Sequence, residues 1–333
     1  MIIASLSRWL MPLLIGLALL SLLAASFLGA TPLSFDRILA AIFGVGLPGD
    51  QIVIWEIRLP RALCAFVVGA ALGVSGAALQ GLLRNPLAEP GVLGVTVTAS
   101  LGATFALYYG VTAYAPVALP LFAIAGAMAA TGLLAFAALR TSSIVTLILV
   151  GVGISSFSAA VMALLMNLAP NPFSLSDMIN WMLGSVANRS FDDLILSAPF
   201  LIAGLAILWF SRRGLSALIL GEEGASAVGL NLNRQRLLVV IGAGLATGGA
   251  VALAGAIGFV GIVAPHLVRP LVGHDPGRSL LPSGLLAGVI LVLADIGVRL
   301  LPTSTELKLG VAASLIGAPV FVWIAVQRRS IHE

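Results

Sequence analysis

Apolar runs of about 20 residues, the length a helix needs to cross a bilayer, recur from one end of this chain to the other. In lipid every backbone N–H and C=O must be satisfied internally, so each run is confined to a helix. Charged residues make up only 9% of the 333 and hydrophobic ones 60%, against roughly 25% charged in a soluble domain. No polar stretch is long enough to form a separate soluble unit. The chain is therefore expected to be all-α, a polytopic integral membrane protein with a single transmembrane domain over residues 1–333.

Reading the runs against their Gly, Pro and charged punctuation gives about ten spans. They are Trp9 to Gly29, Ala62 to Leu83, Gly91 to Tyr109, Pro116 to Leu139, Ile144 to Leu168, Leu194 to Phe210, Leu237 to Ala254, Ile257 to Leu271, Leu280 to Val298 and Leu309 to Val326. The first run has Arg8 ahead of it and Ala24, Ala25 and Ala30 towards its end, as a secretory signal would. It exceeds the roughly 7–15 apolar residues of such a signal, so it is read as a retained span.

Arginine sets the orientation. With the N-terminus inside, eleven basic residues fall in cytoplasmic segments: Arg8, Arg84, Arg140, Arg212, Arg213, Arg234, Arg236, Arg269, Arg278, Arg328 and Arg329. Six fall outside, namely Arg37, Arg58, Arg61, Arg189, Arg299 and Lys308. That bias satisfies the positive-inside rule and puts both termini in the cytoplasm. Three loops are long enough for structure of their own: the outer (periplasmic) segments 30–57 and 169–193, and the cytoplasmic segment 211–236. The second outer loop predicts a short helix from Ser174 to Leu183 with Ser174 as its cap. The cytoplasmic loop, with Glu222 and Glu223 between glycines, reads as a docking surface.

Several function classes drop out. The basic residues are scattered rather than gathered on one face, which argues against a nucleic-acid partner. Cys64 has no partner for an internal disulfide, and it and three dispersed histidines (His266, His274, His332) build no metal site. Gly73-Val-Ser-Gly76 has the G-x-S-G pattern of intramembrane serine proteases. Its one membrane-embedded histidine, His266, is about 190 residues downstream, and a serine among small residues is common in packed helices, so no catalytic residue is expected. A phosphate-binding loop needs a lysine after glycine, whereas Lys308 lies between Leu307 and Leu309. ATP hydrolysis must come from another polypeptide, or not at all.

Other motifs carry two readings each. Small residues at four-residue spacing, such as Gly69, Gly73 and Ala77, or Gly242, Ala246 and Ala250, serve close helix packing or pore lining. Arg58 and Arg61, at the outer mouth of the second span, either snorkel to lipid headgroups or receive carboxylates of a soluble partner, with Arg299 as a third point. Asp295, one turn before Arg299, makes an i,i+4 salt bridge or serves a proton relay. The turns Arg84 to Gly94 and Arg140 to Ser143 are ordinary connections or constrictions that close a pore.

Four segments then occur in order: Arg58-Leu-Pro-Arg61, Gln80-Gly-Leu-Leu-Arg-Asn-Pro-Leu-Ala-Glu-Pro-Gly91, Leu218-Ile-Leu-Gly-Glu-Glu-Gly-Ala-Ser-Ala-Val-Gly-Leu230, and Gly255-Ala-Ile-Gly-Phe-Val-Gly-Ile-Val-Ala-Pro-His-Leu-Val-Arg269. With them the chain resembles, over nearly its whole length, the permease subunits of type II ABC importers for cobalamin, haem and ferric siderophores. The resemblance implies ten helices per subunit and a homodimer in the bacterial inner membrane with the path at its seam. It also implies two ATPase subunits beneath, using ATP and Mg, and a soluble periplasmic substrate-binding protein above. Arg58, Arg61 and Arg299 correspond to positions that meet acidic residues of the binding protein. The segment holding Leu220, Gly221, Glu222, Glu223, Ala225, Val228 and Gly229 corresponds to the one that fits an ATPase cleft. Asn85 and Leu87, with Thr141 and Ser142, correspond to the inner gate, and the path is attributed to the spans 144–168 and 309–326. The outer loop around 169–189 singles out no one chelate. The rival from another class, an ion-coupled secondary transporter, would need membrane-embedded carboxylates beyond Asp295.

Overall fold

The computed structural model describes residues 2–29, 31–141, 143–302 and 305–329, with side-chain surroundings between residues 9 and 322 of that set. Among the described residues all regular structure is helical. The helices are α1 (Ile2–Phe27), α2 (Phe35–Ile42), α3 (Pro48–Ile52), α4 (Leu59–Leu83), α5 (Val95–Tyr108), α6 (Ala118–Arg140), α7 (Ile144–Asn167), α8 (Pro172–Met182), α9 (Phe191–Ala217), α10 (Gly221–Ala227), α11 (Leu232–Ala254), α12 (Val260–Val268), α13 (Pro276–Leu300) and α14 (Leu309–Arg329). A π-helical turn, Val53–Arg58, joins α3 to α4.

Each expected span contains a helix, and among the described residues seven helical stretches are long and apolar enough to cross a bilayer on length and composition. Two other apolar helices, Val95–Tyr108 and Val260–Val272, are shorter, while α14 runs for 21 residues, about 31 Å at 1.5 Å per residue. At 1.5 Å per residue α5 reaches about 21 Å, short of a hydrocarbon core of about 30 Å. The spans drawn from Gly91 and from Ile257 therefore begin with non-helical backbone, and their helices start only at Val95 and Val260.

Small residues set the packing. The most buried of the long apolar stretches are α11 and the one that contains α4, with 78% and 72% of their apolar windows covered, whereas α7 has only 17% covered and lies at the rim. Where α4 meets α12, a Cβ on Gly76 would stand 1.9 Å from the carbonyl oxygen of Gly261, so only glycine allows the backbones to meet. Gly69 and Gly73 likewise lie against Ala287 and Ser283 of α13. Helix–helix contact is what these small residues serve. The same fit explains the G-x-S-G pattern: Ser75 is fully buried inside it, and Cys64, earlier in α4, is buried as well.

Polar residues end the helices. Asn231 accepts from the Arg234 N–H at 2.9 Å at the start of α11, and Ser190 and Asp193 form a reciprocal capping box on α9. The short outer helix departs from expectation. Its cap is Asn171, whose side chain accepts from the Ser174 N–H at 2.8 Å, because Pro172 occupies the first helical position where no N–H is needed. Ser174 is thus a donor inside the first turn rather than the cap. The loop expected at 211–236 also shrinks: α9 continues to Ala217 and α11 begins at Leu232, leaving 218–231 between them.

Candidate functional site

The fold gathers the three singled-out outer arginines around one cavity of about 260 Å³, together with Glu306 and Thr31. None points freely outward. Arg58, at the end of the π-helical turn, is 3% exposed and donates to the carbonyl oxygens of Ser26 (2.9 Å), Phe27 (3.0 Å) and Thr31. Arg299 donates to Ala25 O at 3.2 Å and Leu28 O at 3.4 Å. Together they satisfy the last carbonyls of α1, where a helix end presents partial negative charge. That capping role was not among the sequence readings, because residues about 30 or more apart along the chain carry no local signal for it.

Arg61 is held by acids instead. Its Nη2 lies 2.7 Å from Asp295 Oδ1, and its guanidinium also binds both carboxylate oxygens of Glu306. Asp295 reaches Arg299 Nη2 at 2.9 Å through its other oxygen, so the expected i,i+4 pair is present, and it is part of a larger network. With a side chain only 1% exposed, Asp295 sits between two guanidiniums, which makes its charge tolerable inside the bundle. Farther out, Arg37 pairs with Asp50 at 2.6 Å; the hydrogen bond and then the charge of Asp50 hold the Arg37 guanidinium above its ordinary value.

On the opposite loop, the segment from Leu218 to Leu230 is a compact hairpin. Leu218 and Ala225 are buried and anchor it, while Ile219, Leu220 and Val228 are 59%, 63% and 65% exposed. Gly221 and Gly229 bracket α10 with φ of 90° and 88°, a region closed to most side chains. The two glutamates differ. Glu222 accepts from Arg236 Nη2 at 3.0 Å with both oxygens, whereas Glu223 is exposed. Gln235 donates to Ser211 O at 2.9 Å and ties the hairpin's two supporting helices together.

Of the gate residues, Asn85 accepts from the Leu87 N–H at 2.9 Å, and Leu87 is 46% exposed. Thr141 accepts from the Ser143 N–H at 3.1 Å, and Ser143 caps α7. Each turn closes on itself. Ser142 lies outside the described residues.

A second site was missed. The segment after Arg84 does not stay a simple surface turn, because Glu89, Pro90 and Gly91 line a cavity of about 490 Å³ with Leu183, Gly258 and Ser314. Glu89 lies beside the backbone N–H of Phe259, which has φ of 65° just before α12. Ser185 N–H donates to Ala254 O at 2.7 Å, and Gly310 N–H to Gly184 O at 3.1 Å. Three non-helical stretches thus meet at the ends of short helices. Irregular backbone is tolerated inside a membrane protein where it lines such a cavity. Paired Pro and Gly ahead of α5 (Pro86, Pro90, Gly91, Gly94) and paired Gly ahead of α12 (Gly255, Gly258) were the available signal.

Among the described residues, seven helices long and apolar enough to cross a bilayer, with shorter apolar helices meeting around a cavity, mark a multi-pass membrane protein. The chain belongs to the FecCD transport family, whose sequence model matches residues 14–327; it is a permease of an ABC transporter rather than an enzyme. It is 41% identical over 284 residues to the uncharacterized ABC transporter permease protein YvrB of Bacillus subtilis (strain 168), covering 83% of this chain and 79% of that one. It is also 41% identical over 283 residues to the vitamin B12 import system permease protein BtuC of Vibrio cholerae serotype O1, covering 84% of each. A solved inward-facing structure of a metal-chelate type ABC transporter superposes with a TM-score of 0.86 at 30% identity, over 96% of this chain and 99% of that one.

Proposed function

We propose that two copies of this chain form the membrane half of an importer in the bacterial inner membrane that carries a bulky metal chelate from periplasm to cytoplasm. A periplasmic binding protein delivers the cargo, and two separate ATPase subunits, using ATP and Mg, drive transport. The observation that carries this reading is membership of the FecCD family over 14–327. Relatives called vitamin B12 import permeases make cobalamin the first cargo to test, ahead of ferric siderophores and haem. Ten crossings with both termini inside follow if α14 crosses over its 21 residues and the two shorter helices complete their spans with the non-helical backbone beside them.

In this scheme Arg58, Arg61 and Arg299 receive the binding protein's carboxylates at the outer cavity. The exposed apolar face of the hairpin, Leu220 and Val228 with Glu223, enters a cleft of the ATPase, while Gly221 and Gly229 set its shape, Ala225 anchors it and Glu222 braces it. Movement of that hairpin is passed to the gate turns of Asn85, Leu87, Thr141 and Ser142, and access alternates at the seam between copies. Proteoliposomes holding the permease and its ATPase should take up cobalamin only with ATP and binding protein present. Uphill uptake by the permease alone on an ion gradient would establish the secondary-transporter alternative. Asp295 speaks against that alternative, because two guanidiniums hold it as a structural anion.

A further inference from the structure

The two acids of the outer cluster are held differently. Asp295 is 1% exposed and serves two arginines at once. Glu306 is 40% exposed, and it comes from the non-helical stretch just ahead of α14. Removing a sealed partner leaves a buried charge uncompensated, but a solvent-facing carboxylate can leave because water replaces its contacts at little net free energy. The balance of charge points the same way. Three guanidiniums face two carboxylates at the cavity, so the departure of Glu306 would double the surplus positive charge there.

We propose, on the docking reading given above, that Glu306 is an internal stand-in for a carboxylate of the binding protein, occupying Arg61 until the partner's acid enters the cavity and displaces it. The exchange swaps one charge-assisted, bidentate pair for another of the same kind. Docking is thereby close to neutral in ion-pair number and readily reversed. It also has a mechanical outlet. Glu306 precedes the first residue of α14, Leu309, and Gly310, Val311 and Ser314 of that helix line the 490 Å³ cavity. Losing the Glu306 tie to α4 frees the stretch that leads into this wall, so occupancy of the outer cavity is reported to the inner one.

The test uses the full-length permease with its ATPase in nanodiscs and a short polyglutamate peptide as the probe. Glu306→Gln should bind the peptide about tenfold more tightly, ~1.4 kcal/mol, because the competing acid is gone. On an Arg61→Gln background the same substitution should give no gain, the non-additivity expected of residues in contact. Arg61→Lys serves as a second background that keeps a cation beside Asp295 should Arg61→Gln fold poorly, and there a reduced gain is expected. If the wild type binds the peptide, Arg299→Gln weakens it, and Glu306→Gln leaves affinity unchanged or lower, the stand-in is overturned while the docking reading survives. If no variant shows salt-sensitive binding, both are overturned.

Discussion

The arginine cluster around the 260 Å³ cavity and the 218–230 hairpin are built in opposite ways. In the cluster the charges are buried and already satisfied: Arg58 and Arg299 by carbonyls of and just after α1, and Arg61 by Asp295 and Glu306. At the hairpin Ile219, Leu220 and Val228 stand exposed, and Glu222 is turned back onto Arg236. An apolar patch gains free energy simply by being covered, as in lasting interfaces. A satisfied ion cluster can engage a partner only by trading contacts, which suits repeated association and release. Under the docking proposed above, the hairpin is thus shaped to keep its partner and the arginine cluster to exchange one.

The largest expected effect tests whether the cluster really is a sealed network. Asp295→Ala removes the shared counter-ion of Arg61 and Arg299, and should lower stability by about 3–5 kcal/mol, the usual consequence of breaking a buried pair from one side. A fall in the thermal unfolding midpoint of the detergent-solubilised permease reads it. A midpoint equal to wild type would mean that water reaches these arginines, and the contrast between the two ends would disappear. Next in size, Leu220→Glu with Val228→Glu should weaken ATPase association at least tenfold, ~1.4 kcal/mol or more, without moving that midpoint. Undiminished co-purification would show that the exposed apolar face is not what the ATPase covers.

What could be read from the sequence followed local spacing. Asp295 and Arg299, four apart on a helix, form the expected pair at 2.9 Å, and the run from Leu218 to Leu230 announced a polar, glycine-bracketed hairpin. What escaped depended on distance along the chain. Glu306 meets Arg61 across 245 positions, and Arg58 caps α1 from 31 and 32 positions away; no periodicity encodes such meetings. The cavity was hidden for another reason. Apolar content shows that a segment tolerates lipid, but not where its helix starts, so 91–94 and 257–259 fall inside the expected spans although they are turns and irregular backbone. Pro86 and Pro90 revealed a break after α4, but not that the chain would turn inward to place Glu89 beside Phe259.

The smallest effect separates two neighbouring glutamates and decides whether the hairpin also holds charge in reserve. Glu222 is half-covered and bidentate to Arg236, itself 5% exposed, so it braces the hairpin from within. Glu222→Gln should loosen the segment 218–230 by about 0.2–1 kcal/mol, the range for a partly exposed pair, and hydrogen exchange should quicken there alone. Glu223→Gln should leave exchange as it is, since that side chain faces outward, and should alter only the coupling of ATP hydrolysis to uptake. Equal exchange in both variants would mean that the burial of Leu218 and Ala225 shapes the hairpin unaided. Glu222 would then be a displaceable acid on an arginine, as Glu306 is, and both ends of the molecule would work by exchange.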